Sequence, residues 1–295
     1  ELDESDGSVA NTRPDRLVLV NLDADHLNHY RDLDGLLDAF TAYLAAPDAP
    51  PALHGFADDA NVAAVLRRSG RSAVTFGTAP DATYRVSDLA MRGMGSTFRL
   101  AGPGGDLGTF ALSLPGAYNA MNAAAALSVV LEEGVDPEAA RAALPAFRGL
   151  ENRFTVVPVG PGFVVKDYTS HPVGIRAVID GARAFAKGRI VTVFKPYRFT
   201  MIHYLHNEYR DAFRGADLSV ITEMYTAGEV PIPGVDTAWL IGRIRDAGAR
   251  VIHVPDMDGI VPALLDEVRP NDTVIFFGGD DLFRLADGYV ARRRA

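Results

Sequence analysis

Four polar clusters in this 295-residue chain carry the residue types that acid–base and phosphate chemistry use. They are Asp23-Ala24-Asp25-His26, Asp167 to His171, Lys195 to Thr200 and Glu223 to Glu229, and each follows an apolar run of strand character. In open α/β sheets ligands bind outside the carboxyl ends of strands, so the coincidence points to a site, expected in a cleft between domains. The acidic opening Glu1-Leu2-Asp3-Glu4-Ser5-Asp6 and the Asp23–His26 cluster gather hard oxygen ligands that suit Mg²⁺. Acidic residues that only end strands at the surface are an equally good reading, and His26 is ambiguous. Asn119 and Asn122 stand one turn apart at a helix start, where they can hydrogen-bond a nucleobase or simply cap and pack. Arg198 can grip a carboxylate or phosphate with both arms, or be a solvated surface arginine. His171, just before Pro172, reads equally as a helix-entry residue.

Several chemistries are excluded. Cysteine is absent, which removes disulfide scaffolds, thiolate zinc sites and cysteine nucleophiles. No Gly-x-Ser-x-Gly nucleophile elbow occurs, and no Gly-x-x-x-x-Gly-Lys-Ser/Thr loop. The only lysines are Lys166, Lys187 and Lys195, and Gly278-Gly279-Asp280-Asp281 does not meet the dinucleotide fingerprint. A net charge of -9, with arginines scattered rather than gathered on a face, argues against nucleic-acid coating and membrane-surface binding. No apolar run approaches the roughly 20 residues of a spanning helix.

The elements that must position these clusters fall into two α/β units. In the first, Arg16 to Leu22 reads as a buried strand and Leu33 to Tyr43 as a helix. Ala73–Phe76, Tyr84–Val86, Thr97–Leu100 and Thr109–Leu112 read as an inserted antiparallel hairpin set, followed by a helix from Asn119 to Leu131. In the second, Phe163–Val165, Ile190–Phe194, Leu218–Ile221, Val251–Val254 and Val274–Phe277 alternate with helical stretches, the pattern of a doubly wound parallel sheet. The boundary is expected between residues 149 and 150. The chain opens without Met or a signal peptide and on an orphan acidic cluster, so it is read as a fragment.

In order along the chain, these clusters resemble the Mur ligase family and its alanine-adding branch. Glu1 to Ser8 is similar to E-A-D-E-S-D-x-S, Asn21 to His26 to N-I-E-x-D-H, and Gly116 to Ala123 to G-x-H-N-x-x-N-A. Asp167 to Pro172 is similar to D-Y-x-H-H-P, Phe194 to Thr200 to F-Q-P-H-R-Y-T, and Tyr225 to Gly234 to Y-x-A-G-E-x-P-I-x-G. The resemblance implies a partial central ATP-binding α/β domain over 1–149, its phosphate loop lying upstream, and a Rossmann-like amino-acid-binding domain over 150–295. It implies an ATP-dependent ligase of peptidoglycan precursor synthesis, working through an acyl phosphate that an amine attacks. Glu1 and His26 would help hold Mg²⁺, and Asn119, Asn122 and Arg153 would contact ATP. Asp167, His171, Arg198 and Tyr168 would face the amino acid and the acyl phosphate as the domains close and exclude water. The implied substrates are a UDP-sugar carboxylate and an amino acid. No nucleic acid and no membrane insertion are expected, the state is a monomer or weak dimer, and the location is cytoplasmic.

Most of the departures fall on the amino-acid side. Tyr118, Thr169, Ser170, Lys195, Tyr197 and Met201 stand where the family carries His, Gly, His, Gln, His and Arg. The amide-forming chemistry is therefore expected to be retained with an amine that need not be L-alanine, and this chain by itself is expected to be inactive. A relative joining another acid and amine is one alternative. A non-catalytic binding protein without a phosphate loop is another.

Overall fold

The computed structural model describes residues 5–294, so the expectations at Glu1, Asp3 and Glu4 lie outside the described residues. The chain forms two compact units, residues 1–148 and 149–295.

The first unit runs β1 (Arg16–Leu19), α1 (Leu27–Tyr30), α2 (Leu33–Ala45), β2 (Ala52–Phe56), α3 (Ala60–Ser69), β3 (Val74–Gly77), β4 (Tyr84–Arg92), β5 (Gly95–Gly102), β6 (Gly105–Leu112), α4 (Ala117–Glu132) and α5 (Pro137–Ala143). Its sheet keeps chain order, with β1 to β4 parallel and β5 and β6 antiparallel. This corrects the expected hairpin set: β3 pairs in parallel with both β2 and β4, and only β4–β5–β6 form hairpins. An apolar run marks a strand but carries no information about its direction.

The period of two along each strand sorts side chains between two layers. Leu17, Leu19 and Leu53 pack with the apolar stripes of α2 and α3, whereas Val18 joins the cluster built on α4, Phe98 and Phe110. Asp32 and Asp59 cap α2 and α3, accepting from the Gly35 and Val62 N–H groups. β2 escapes a reading by apolar runs because His54 and Gly55 interrupt it. Both are needed where they stand: a Cβ at Gly55 would lie 2.6 Å from Leu66 Cδ1, and His54 bonds Ser128 of α4.

His54 is completely buried. The Ser128 hydroxyl donates to the Ala125 carbonyl at 2.7 Å, so His54 Nδ1 is the donor in its 2.9 Å bond to Ser128 Oγ. Nε2 has no hydrogen-bond partner among the described residues. Burial, then the charge of Arg16, hold the imidazole below its ordinary range against the pull of Glu132. The unfolded chain takes up this proton near pH 6.5 and the folded chain does not, so stability present above about that pH is lost as acid is added. Thermal unfolding is therefore expected to show a larger drop in midpoint, between about pH 7.5 and pH 5.5, for the parent than for His54→Asn. Equal drops would show that His54 is not the responsible group.

The second unit runs β7 (Thr155–Val159), β8 (Gly162–Asp167), α6 (Pro172–Arg183), β9 (Ile190–Phe194), α7 (Phe199–Tyr204), α8 (His206–Ala212), β10 (Leu218–Ile221), α9 (Thr237–Asp246), β11 (Val251–His253), α10 (Met257–Glu267), β12 (Thr273–Phe277) and α11 (Asp280–Arg294). The strand order is β11-β10-β9-β12-β8-β7, parallel throughout except for β7. The five expected strands are all present. β9, β10 and β12 are buried at every position, as strands covered on both faces must be. β7 carries Pro158, which disguises it as loop; as an edge strand it tolerates a missing donor.

Candidate functional site

The second sheet sets one row of residues at its carboxyl edge. Asp167, Phe277 and Phe194 are in register across β8, β12 and β9, so Tyr168, Gly278 and Lys195 leave the sheet side by side. The Gly278 N–H donates to the Asp167 carbonyl and the Lys195 N–H to the Phe277 carbonyl, each at 3.3 Å, which carries the ladder one residue further.

Asp167 is only 5% exposed. Its carboxylate is turned inward, accepting the Phe154 N–H through Oδ2 and the Thr169 N–H through Oδ1, both at 2.9 Å. Burial pushes its pKa up, against the opposing effects of these two donors and of Arg153. The first of these bonds anchors a strained loop, since Asn152 and Phe154 both have positive φ, at 59° and 50°. Arg153 stands between them, exposed, with its guanidinium carbon 5.9 Å from the centre of the Tyr168 ring. The Tyr168 N–H in turn donates to the Asn152 carbonyl at 2.9 Å, and its half-exposed ring also meets Phe283. Asp167, Arg153 and Tyr168 are thus brought together. His171 serves as the N-cap of α6, Nδ1 accepting the Val173 N–H at 3.4 Å with Pro172 in the first turn.

Beyond β9 and β10 two loops interlock. Tyr197 and Tyr225 form a parallel bridge, and their rings stack at 5.7 Å. The Arg198 N–H donates to the Tyr225 carbonyl and the Tyr225 N–H to the Pro196 carbonyl, both at 2.9 Å. Arg198 has φ 62° and ψ 136°, a conformation that L side chains rarely adopt. Its guanidinium lies over the Tyr197 ring at 4.9 Å, and Nη2 donates to the Tyr197 hydroxyl at 3.2 Å. Nε is buried with no hydrogen-bond partner among the described residues. Glu229 closes the same corner, accepting the Thr200 N–H at 3.0 Å and its hydroxyl at 2.6 Å.

Two further contacts tie this corner to its surroundings. Lys195 Nζ forms an ion pair with Asp281 at the start of α11. Burial disfavours the Asp281 carboxylate, but Lys195 and the Leu282 N–H outweigh it and hold the group below its ordinary range. Ser170 Oγ meets Met201 Sδ at 3.7 Å, joining the loop after β8 to α7, and the Tyr209 hydroxyl donates to the Ser170 carbonyl at 2.6 Å. Sequence patterns single out the segments that hold Lys195, Thr200 and Glu229, but not which side chains pair. Only the fold brings Asp281 to Lys195.

In the first unit Asn119 and Asn122 lie in the first two turns of α4. Asn119 Nδ2 donates to the Pro115 carbonyl at 2.7 Å, which commits its amide nitrogen to the helix start, while Asn122 is exposed. Gly116 ahead of them has φ 96°, and a Cβ there would lie 2.8 Å from the Tyr118 ring. His26 also has positive φ, at 52°; its Nε2 is 3.7 Å from Asp25 Oδ2. Among the described residues no group of three or more His, Cys, Asp or Glu side chains could hold a metal ion. The described donors near His26 thus supply part of a metal site at most, and Glu1 lies outside them.

The profile of the Mur ligase middle domain matches residues 1–130, and that of the Mur ligase glutamate ligase domain matches residues 152–279. The UDP-N-acetylmuramate–L-alanine ligase of Solibacter usitatus is 37% identical over 296 residues, covering 100% of this chain and 63% of its own. That of Sorangium cellulosum is 37% identical over 304 residues, covering 100% and 64%. The chain therefore spans somewhat less than two thirds of the length of these relatives. The fold is shared with UDP-N-acetylmuramate-alanine ligase MurC from Thermotoga maritima, with TM-score 0.78, 24% identity, and coverage of 99% of this chain and 62% of that one. MurF ligase from Thermotoga maritima in complex with ADP shares it too, with TM-score 0.73, 17% identity, and coverage of 97% and 66%. With two domain profiles following one another along it, and that identity to relatives over its whole length, the chain belongs to the Mur ligase family.

Proposed function

We propose that the chain provides the ATP-binding and amino-acid-binding parts of a ligase that joins L-alanine to the carboxylate of UDP-N-acetylmuramate, in peptidoglycan precursor synthesis. Residues 1–149 take the nucleotide and residues 150–295 bring the amino acid. ATP transfers its γ-phosphoryl group to the carboxylate, releasing ADP. The amine then attacks the acyl carbon, and the tetrahedral intermediate expels inorganic phosphate to leave the amide. The observation that carries the reading is Arg198: a guanidinium at a strand's carboxyl end, held in a strained backbone conformation, with a buried N–H to spare. That is the equipment for charge that builds up on phosphoryl or acyl oxygens. The identity to two L-alanine ligases supports the choice of substrates.

In this proposal Asn122 and the unused oxygen of Asn119 face the nucleotide, and Arg153 contacts its phosphates. Tyr168, His171 and Arg198 face the amino acid and the acyl phosphate. Asp167 acts at the site by holding Arg153 and Tyr168, because both its oxygens are engaged. Glu1 and His26 would help hold Mg²⁺, which would neutralise charge on the transferring phosphoryl group. No helix among the described residues is long and apolar enough to cross a membrane. The proposal places the enzyme in the cytoplasm as a monomer or weak dimer, without nucleic acid.

One contact favours a second reading of the amine. Ser170 and Met201, two departures from the resembled pattern, touch one another, and together they would shape one wall of the corner. ADP release by the protein in its full natural length, with UDP-N-acetylmuramate and a panel of amines, tests both readings. Release that requires acid and amine together, and is fastest with L-alanine, is the expected result. A faster rate with another amine replaces the alanine assignment, and release independent of any amine overturns the ligase reading.

A further inference from the structure

We infer that Lys195 is a positioning residue, clamping the start of α11 to the loop that holds Arg198 and so fixing the direction in which the guanidinium points. The inference rests on the reading of Arg198 as a substrate-facing group.

The clamp has three links. The first is the backbone of Lys195, fixed one residue past β9 by its N–H bond to the Phe277 carbonyl. The second is the side chain. Its ammonium pairs with Asp281 in the first turn of α11 and sits 4.9 Å from the centre of the Tyr225 ring. The lysine side chain is 17% exposed, so the charge is largely withdrawn from water and these two partners must replace its hydration. The third link is Tyr225 itself, which touches the Arg198 segment at both ends. Its carbonyl takes the Arg198 N–H, and its ring stacks on Tyr197, the ring that lies beneath the guanidinium.

A positive-φ arginine persists only where its surroundings over-determine it. Tyr225 provides two of those restraints, but its ring is half exposed and has little packing to hold it. Lys195 supplies an electrostatic one from a rigid strand end. Without the ammonium, the Tyr225 ring loses its cation and Asp281 keeps only backbone N–H donors, chiefly that of Leu282, in favour of its charge. The loop over 196–200 is then released from α11.

Hydrogen exchange and kinetics test this together. In Lys195→Met, which keeps the stem and removes the charge, amides over 196–204 and 223–232 are expected to exchange at least tenfold faster, while those of β9 and β12 are unchanged. Lys195→Arg, which keeps the charge, is expected to restore slow exchange. In the full-length protein Lys195→Met is expected to lower kcat/KM for the amine by roughly ten- to a hundredfold, the scale of small misplacements, with KM for ATP unchanged. Lys195→Arg should recover most of that loss. Unaltered exchange in Lys195→Met overturns the clamp whether or not the protein ligates. Faster exchange with unaltered amine kinetics, in a protein that Arg198→Gly inactivates, also overturns it. If Arg198→Gly itself leaves ligation intact, the failure lies in the proposed function of Arg198, and the inference falls with it.

Discussion

If Arg198 has the proposed role, replacing it with glycine in the full-length protein is expected to cut ligation by about a hundred- to a thousandfold while leaving the fold about as stable as before. The two effects separate because they come from different parts of the residue. The backbone at φ 62° and ψ 136° costs an arginine about 1–3 kcal/mol, which glycine does not incur. Against this stands the greater freedom of glycine in the unfolded chain, about 0.5–1 kcal/mol. The loss of one part-buried cation–π contact, about 0.5–2 kcal/mol, and of the Nη2 bond to the Tyr197 hydroxyl, about 1 kcal/mol, works in the same direction. The backbone bonds through the Arg198 N–H to Tyr225, and through its carbonyl from Ile202, are kept in the variant. The side chain is another matter. Removing one donor aimed at developing oxyanion charge typically costs on the order of a hundred- to a thousandfold in turnover. Arg198→Gly should therefore melt close to the parent midpoint, with amine-dependent ADP release lower by about that factor. Arg198→Lys should not restore it, since a point charge cannot reproduce a planar fork of donors. A glycine variant that turns over at the parent rate would remove Arg198 from the chemistry.

The strain at Arg198 is invisible in the sequence. Arg198 was identifiable as a strand-end arginine, but nothing in Phe194 to Thr200 announces a left-handed backbone. The strain arises from the Tyr225 loop, which lies far along the chain and pulls the Arg198 N–H toward its own carbonyl. The parallel sheet of the second unit was legible because β9, β10 and β12 are covered on both faces and are apolar without interruption. Strands that deviate for local reasons were not. β2 holds a buried His54 that makes sense only beside Ser128, and β7 holds a proline that makes sense only at an edge. The direction of β3 was equally hidden, because pairing depends on which strands arrive on either side. The site shows the same division. Residue types at strand ends marked the clusters, whereas the pairings Lys195–Asp281, Thr200–Glu229 and Ser170–Met201 join segments that only tertiary structure brings together.

Asp167 offers the opposite experiment, one in which stability changes first. Truncation to alanine would leave the Phe154 and Thr169 N–H groups without their acceptor in a buried setting. At about 1–3 kcal/mol for each abandoned donor, Asp167→Ala should lose roughly 2–6 kcal/mol, a large share of what a domain possesses. Asp167→Asn should lose less, since one oxygen can still accept, although its amide nitrogen then faces an N–H. The acid dependence distinguishes a buried carboxylate from a surface one. Burial raises the folded pKa of Asp167 above the unfolded value near 3.9, so the folded state binds the proton more tightly. The contribution of this group is thus greatest below about pH 3.9 and is lost as pH rises through the folded value. Chemical denaturation of the parent and of Asp167→Asn across that range should show the parent's advantage shrinking as pH increases. A parent advantage that grows with pH would mean that the two N–H donors and Arg153 overcome burial. Asp167 would then be an ordinary stabilised carboxylate, its charge reinforcing the two hydrogen bonds that hold the strained loop carrying Arg153.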